Sequence, residues 1–398
     1  MNNITFCHFV LIVFSLLLLS CSSNQDVINN LSDNYLFSSE ILELPIADLD
    51  KATEFSSIGQ YENSLKFNSY GCPPKDYGTK YLEKFEKEYS AVPADEYIIE
   101  QAGTTSITMI NGGYRMALYP IFVTNLLEGL YDKGYRHLGL EGICQDILPG
   151  DDLRYLDNVK GKEPRFANLI RKALDLGFTI FKVDSFGTKD SEQVEELKKR
   201  MEQFPDDKIL IYVSSVHSIE AQLHESIGKT LANKISEDLN VNPLTIGQLT
   251  YTEKTSAYYE SFLYKNTSIV EPVVFVSDIG ESYFDKKYVP EWNDIHVFHP
   301  RSEFYQGRPS WLASSGNELV SVDVSKSGLK LPIMVYAIDE GEQKADAIPY
   351  DVVEVTEASK DAVLFLPPGK FDAVMLSANG ASKSLSIVIP ETGKKILD

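Results

Sequence analysis

ITMINGGYRMALYPIFVTNLLEGLYDKGYRHLGLEG, residues 107–142, decides the fold. Ile107 to Asn111 is a short apolar run of strand length, closed by Gly112-Gly113. Residues 119–133 then place Phe122, Leu126 and Leu130 on one helical stripe, with Pro120 in the first turn, where proline is tolerated. Arg136 to Glu141 reads as the next strand. Strand, helix, strand with so short a return is the unit of a parallel sheet.

The same alternation continues downstream. Residues 165–176 carry Phe166, Leu169, Ile170, Ala173 and Leu174 at helical spacing, and Gly177 is placed to stop the helix. Phe178 to Asp184 is a strand. Asp190 and Gln193 form a capping-box pattern ahead of Val194, Leu197 and Met201. Lys208 to Val213 is a strand, and residues 219–239 repeat Leu223, Ile227, Leu231, Ile235 and Leu239 as a helical stripe. Leu244–Leu249 and Val270–Ser277 follow as strands. The expectation is an α/β domain over 95–315, a parallel sheet with helices on both faces. Residues 316–398 differ. Alternating valines at 320, 322 and 324, an apolar run from Pro332 to Ala337, paired runs around Pro367-Pro368-Gly369-Lys370, and Leu385–Ile389 suggest a small C-terminal antiparallel β-sandwich.

The N-terminus carries an address. Phe9 to Leu19 is an apolar run of 11 residues broken only by Ser15. A span needs about 20 residues, so the run suits the apolar region of a signal peptide. It ends Leu18-Leu19-Ser20-Cys21, which resembles the bacterial lipobox, where the sulfur of the cysteine is the acylated atom. The usual basic start is missing, because no Lys or Arg precedes Lys51. The reading is a signal peptide over 1–20 and a lipid on Cys21, which anchors the protein to a membrane outside the cytoplasm, the outer membrane of a bacterial envelope. Residues 22–50 hold Asp26, Asp33, Glu40, Glu43, Asp48 and Asp50 with no base, and read as an extended, solvated tether within an N-terminal segment 21–94. Cys72 and Cys144 remain, either as a disulfide or as two separate thiols.

Charge narrows the partners. The 398 residues hold 37 Lys and Arg against 58 Asp and Glu, a net of 37 − 58 = −21, with no basic stripe. Nucleic acid is excluded as a partner, and adsorption to anionic lipid by charge is disfavoured. No CxxC or HExxH occurs, so no metal site is assigned; His296 and His299, spaced i, i+3, lack an acidic or cysteine companion.

In an open parallel sheet, ligands bind beyond the carboxyl ends of the strands. Those ends present Asn111, Gly112, Gly113, Tyr114 and Arg115 after the first strand, Glu141 after the second, Asp184 after the third and His217 after the fourth. One imidazole and two carboxylates are enough for acid–base catalysis, with a carboxylate orienting the base. Each also has a plain reading as a cap or turn residue. Gly112-Gly113 is neither GxGxxG nor a P-loop.

At these residues the chain resembles the erythromycin-esterase-like and ChaN-like (haem-uptake, Tiki/TraB-related) superfamily. The resemblance runs over residues 95–250, through the stretch quoted above, EPRFANLIRKALDLGFTIFKVD and KILIYVSSVHSIE. Members read "GE.H" or "NEAHH" after the first strand, a Glu closing the second, an acid at the third, and "GxGH" or "HNxH" after the fourth. Asn111, Glu141, Asp184 and His217 match. The first motif does not: Gly112 stands in place of the catalytic Glu, Tyr114 and Arg115 in place of the histidines, and Tyr119 and Pro120 in place of a further His and Arg. Tyrosine is a poor base at neutral pH and arginine accepts no proton. The resemblance therefore implies a degenerate site, Asn111 to Arg115, that binds a small-molecule ligand or partner. The alternative is an active ester or lactone hydrolase with His217 as base and Glu141 and Asp184 orienting it. No cofactor is required; haem, with Tyr114 as axial ligand, is the further option that the ChaN-like members imply.

Overall fold

A computed structural model describes residues 25–68, 76–112, 115–148, 162–183, 190–220, 229–283, 293–314, 316–342, 347–357 and 361–391. An α/β body is built on β1 (Tyr89–Pro93), α6 (Ala94–Ala102), β2 (Ile107–Asn111), α7 (Leu118–Asp132), β3 (Tyr135–Glu141), α8 (Pro164–Leu176), β4 (Thr179–Val183), α9 (Asp190–Gln203), β5 (Lys208–Val213), α10 (Ser215–Ser218), α11 (Leu231–Leu239), β6 (Leu244–Tyr251), α12 (Phe262–Asn266), β7 (Val273–Ser277) and β8 (Ile295–Phe298). The eight strands make one sheet in the order β1-β7-β8-β6-β2-β5-β3-β4.

The sheet is mixed rather than purely parallel. β8, β6, β2, β5, β3 and β4 run parallel, but β7 is antiparallel to both β8 and β1. An antiparallel pair at the edge of a parallel sheet is common, and β7 returns from α12 without a crossover helix. The central strands alternate their burial between two helical layers. Ile110, Leu138, Leu210 and Tyr212 pack under α6, α7 and α8, while Met109, Ile209, Ile211 and Val213 pack under α9 and α11. The helical stripe expected over 219–239 is shorter: the helix begins at Leu231, where Thr230 caps it by accepting from the Asn233 N–H and donates to the Ile219 carbonyl at 2.5 Å. Leu223 and Ile227 lie outside the described residues.

A short hairpin, β9 (Phe304–Tyr305) and β10 (Arg308–Pro309), links the body to the C-terminal strands. These are β11 (Glu318–Val322), β12 (Ile333–Asp339), β13 (Asp351–Val355), β14 (Ala362–Leu366), β15 (Gly369–Ser377) and β16 (Ser382–Ile389). They form a β11-β14 pair and a sheet ordered β13-β12-β15-β16, all antiparallel. Their facing side chains, among them Val335, Leu364, Phe371 and Met375, make one apolar core.

The N-terminal segment corrects the tether reading. Residues 25–57 form three helices, α1 (Gln25–Asn34), α2 (Ser38–Glu43) and α3 (Asp48–Ser57), followed by α4 (Tyr61–Phe67) and α5 (Thr79–Glu88). Leu31, Tyr35, Phe37, Ile41 and Phe55 are buried against Met334, Tyr336, Val352, Val374 and Leu376 on the outer face of the four-stranded sheet. Asp33, Glu40, Glu43, Asp48 and Asp50 are exposed. The acids thus mark the wet side of a strap rather than a solvated coil. The strap explains why β12 is apolar from Ile333 to Ile338: that stretch is buried on both faces. Among the described residues no helix is long and apolar enough to cross a membrane.

Candidate functional site

The carboxyl end of the sheet collects the polar residues. Asn111 closes β2 and is 3% exposed. Its Oδ1 accepts from the Gln248 N–H at 2.8 Å, its carbonyl accepts from Gln248 Nε2 at 2.8 Å, and its Nδ2 donates to Asn293 Oδ1 at 3.4 Å. Asn293 Nδ2 in turn donates to the Ser218 carbonyl at 2.9 Å. Gln248 Oε1 faces His299 Nε2 at 3.0 Å. The network fixes the tautomer. Because Gln248 Nε2 is committed to Asn111, its other amide atom is an oxygen, which only accepts. His299 Nε2 therefore carries the hydrogen, and Nδ1 keeps its lone pair.

His299 lies between the rings of Tyr119 (5.9 Å) and Phe122 (5.2 Å). Burial drives its pKa down to about 3, and that of His296 to about 4, so both rings are neutral at pH 7. Among the described residues no three His, Cys, Asp or Glu side chains converge as a metal site.

Glu141 closes β3 and is 2% exposed; its Oε2 accepts from the Ser214 N–H at 2.5 Å, tying the ends of β3 and β5. His217 is half-buried on α10, three residues beyond Ser214, and its N–H donates to the Ser214 carbonyl at 3.1 Å. The Gly112 N–H donates to the Val213 carbonyl at 2.9 Å. A Cβ on Gly112 would collide with the Tyr212 hydroxyl, so the glycine serves close packing of β2 on β5. Arg115 turns to the strap: its Nε donates to the Leu49 carbonyl at 3.0 Å, and its carbonyl accepts from Ser64 Oγ. Gly113, Tyr114, Asp184, Cys72 and the acylation candidate Cys21 lie outside the described residues. Cys144 is exposed.

Sequence reasoning gathered Asn111, Glu141 and His217 at this edge, and the structure places them there. It missed Gln248, Asn293 and His299 as partners. The polar Gln248 inside the run Leu244–Tyr251 was the available signal. It also missed a buried joint beside the rim. Glu163 caps α8, accepting from the Phe166 N–H at 2.7 Å with the Tyr61 hydroxyl at 3.5 Å, and burial pushes its carboxyl up to about 7. Next to it Asp351 receives Arg308 at 2.5 and 2.6 Å and Arg165 at 2.8 Å.

No family model and no curated protein matches the chain. Solved structures resemble it weakly. The type III effector HopBA1 aligns with 53% of this chain and 96% of its own, at 10% identity and TM-score 0.30. A structure of bacterial protein toxins aligns with 50% of this chain and 46% of its own, at 16% and 0.27. The C-terminal region of Pasteurella multocida toxin, reported with a thiol-protease-like catalytic triad, aligns with 84% of this chain and 54% of its own, at 12% and 0.28. This chain spans about half the length of the latter two.

Proposed function

We propose that this chain is a lipid-anchored envelope protein, held through Cys21, whose erythromycin-esterase-like scaffold binds a small-molecule ligand or partner at its carboxyl rim without hydrolysing it. The observation that carries the reading is the chemistry of the rim at β2, β6 and β8. Where a general base is needed there are three carboxamides and a histidine held neutral by burial. Such groups donate and accept hydrogen bonds but move no proton near pH 7. Gly112 has no side chain to offer, and Arg115 is spent on the strap.

The competing reading, hydrolysis of an ester or lactone by His217 with Glu141 and Asp184 orienting it, draws on one contact: Glu141 grips Ser214, three residues before His217. Full-length protein in detergent and its His217→Ala variant separate the two on a panel of simple esters and macrolide lactones. We expect no turnover from either, and a ligand from a small-molecule library that raises the melting temperature. At 100 times its Kd such a ligand stabilises by about 2.7 kcal/mol. Turnover that disappears in His217→Ala would overturn the binding assignment. For the anchor, wild type should partition into the detergent phase and Cys21→Ser into the aqueous phase; equal partitioning would remove the lipid.

A further inference from the structure

A cavity of about 380 Å³ opens at the amino ends of β2, β6 and β8, the edge of the sheet opposite the rim. We propose that it is a binding site for a small organic polycation, an alkyl di- or triamine. The site is separate from the rim and goes beyond the function proposed above. Tyr97 and Gln101 of α6, Thr105 before β2, Asn242 before β6, Leu244 of β6 and Asp294 before β8 line it. One wall is the C-terminal half of a helix, and the other is the starts of three strands. The volume is near the lower end of the range for ligand pockets, about 300–1,000 Å³, so the cavity suits a small molecule.

Asp294 is fixed on the scaffold. Its Oδ2 accepts from the Thr245 N–H at 3.0 Å, and its own N–H donates to Thr245 Oγ1 at 3.0 Å. The same Thr245 hydroxyl donates to Glu220 Oε1 at 2.6 Å. Desolvation raises the Asp294 carboxyl above its ordinary value, while hydrogen bonds with the Thr245 N–H and with Glu220 draw it back. Two carboxyl groups bonded to one another need a proton between them. An ammonium brings three donors and no acceptor, so it satisfies both without that proton. A second acidic pair stands by Tyr97. After burial, the charges of Glu100 and Glu281 push its phenol up, which sets both carboxylates near the ring. The Tyr97 hydroxyl is occupied by the Gly280 carbonyl at 2.9 Å, which leaves the ring face for a cation.

No lining residue is basic. Lys208, at the C-terminal end of α6, already serves the Ala102 and Gly103 carbonyls at 3.3 and 2.7 Å. The negative end of that helix dipole and the net charge of −21 act in the same direction as Asp294. An anion would therefore meet repulsion and no counter-charge. The Gln101 and Asn242 side chains make no hydrogen bond to protein among the described residues, and their carboxamide oxygens accept from further N–H groups. Pro243, Leu244 and Ile295 supply apolar wall for the methylenes between two amines. Acids at two places, with apolar wall in the same cavity, match a cation with its charges spaced along an alkyl chain.

The test is calorimetric titration of the full-length protein in a non-ionic detergent with putrescine and spermidine, at physiological salt. Butanediol, an uncharged analogue of similar length, and succinate are the controls. The amines should bind and the controls should not. Asp294→Asn keeps an oxygen for the Thr245 N–H but loses the charge, and should weaken putrescine by at least about tenfold, or 1.4 kcal/mol. Asn242→Trp, at an exposed position on the cavity wall, should block binding and leave the melting temperature of the free protein unchanged. This second variant keeps the test intact if Asp294→Asn fails to fold. The assignment falls if neither amine binds up to about 10 mM, or if butanediol or succinate binds equally well. It also falls if Asn242→Trp binds the amines like wild type, since the attraction would then belong to the acidic surface at large and not to the cavity.

Discussion

Asp351 is the residue whose loss should cost most. It is fully buried at the start of β13, and its oxygens receive two and three donors. Oδ1 receives Arg308 Nη2 at 2.5 Å and its own neighbour's Val352 N–H at 2.9 Å; Oδ2 receives Arg308 Nη2 at 2.6 Å, Arg165 Nη2 at 2.8 Å and the Phe365 N–H at 2.8 Å. Arg165 belongs to α8 of the α/β body, and Arg308 Nη1 donates to the Gly59 carbonyl of the strap at 3.0 Å. One carboxylate therefore joins three parts of the chain. Asp351→Ala takes from two guanidinium groups, each 1% exposed, the carboxylate that both contact, and leaves Arg165 only the neighbouring Glu163. Removing one partner of a buried pair costs about 3–5 kcal/mol, and the fault lies in the stranded charge rather than in the lost attraction. At about 2–4 °C per kcal/mol for large domains, the melting temperature should fall by roughly 6–20 °C. Thermal and urea unfolding of the full-length protein would measure it. Hydrogen exchange should quicken together in α3, α4, β13 and β14. A loss below about 1 kcal/mol, the range of an exposed ion pair, would show that the three parts hold together without this joint and would refute the argument.

Three further outcomes are expected. Glu163, with its carboxyl pushed up to about 7 by burial, holds its proton more tightly folded than unfolded; its contribution is full below about pH 4.5 and is lost as pH rises through 7, worth up to about 3 kcal/mol. Glu163→Gln should flatten the fall in stability over that window, and a profile identical to wild type would exclude Glu163 as its source. Gly112→Ala should destabilise by about 1–3 kcal/mol because its methyl meets the Tyr212 ring, and Gly112→Ala with Tyr212→Leu should recover part of that loss in urea melts; equal losses in both would deny the contact. A chain beginning at residue 60 should bind a hydrophobic dye and aggregate, since it bares Met334, Tyr336, Val374 and Leu376; a monodisperse product with native melting would mean the strap is dispensable.

The parts of the fold that could be read from the sequence are those governed by local periodicity. Strands β2 to β6 and helices α7 to α9 each announce themselves within one segment, because the stripe or run needed to bury a face is written in consecutive residues. The edge direction of β7 is not so written: Val273–Ser277 has the same apolar pattern whichever way it runs. The place of Asn111, Glu141 and His217 at the strand ends is legible because strand ends can be counted; Gln248 and His299 were not recognised as partners, because only the sheet order β6-β2 and β6-β8 brings them beside Asn111.

The strap is the instructive case. The six acids and frequent Ser and Asn of residues 22–50 suggest a coil, yet Ile28, Leu31 and Tyr35 stand at i, i+3 and i+7, a helical stripe too sparse to outweigh the charge in a compositional reading. The missing information lay elsewhere in the chain. Ile333 to Ile338 runs apolar without alternation, and in an antiparallel sandwich such a strand must be covered on its outer face as well. The solvent-facing side of a two-sheet β domain cannot carry Met334, Tyr336 and Ile338 unless another element buries them, and the helices from 25 to 57 supply that element. The strap also holds Arg115 through the Leu49 carbonyl. A lipid on Cys21, four residues before α1 begins, would then fix the β domain and the adjoining rim close to the bilayer: four residues extend to about 14 Å at most. Orientation at the membrane would follow from packing, not from a tether free to swing.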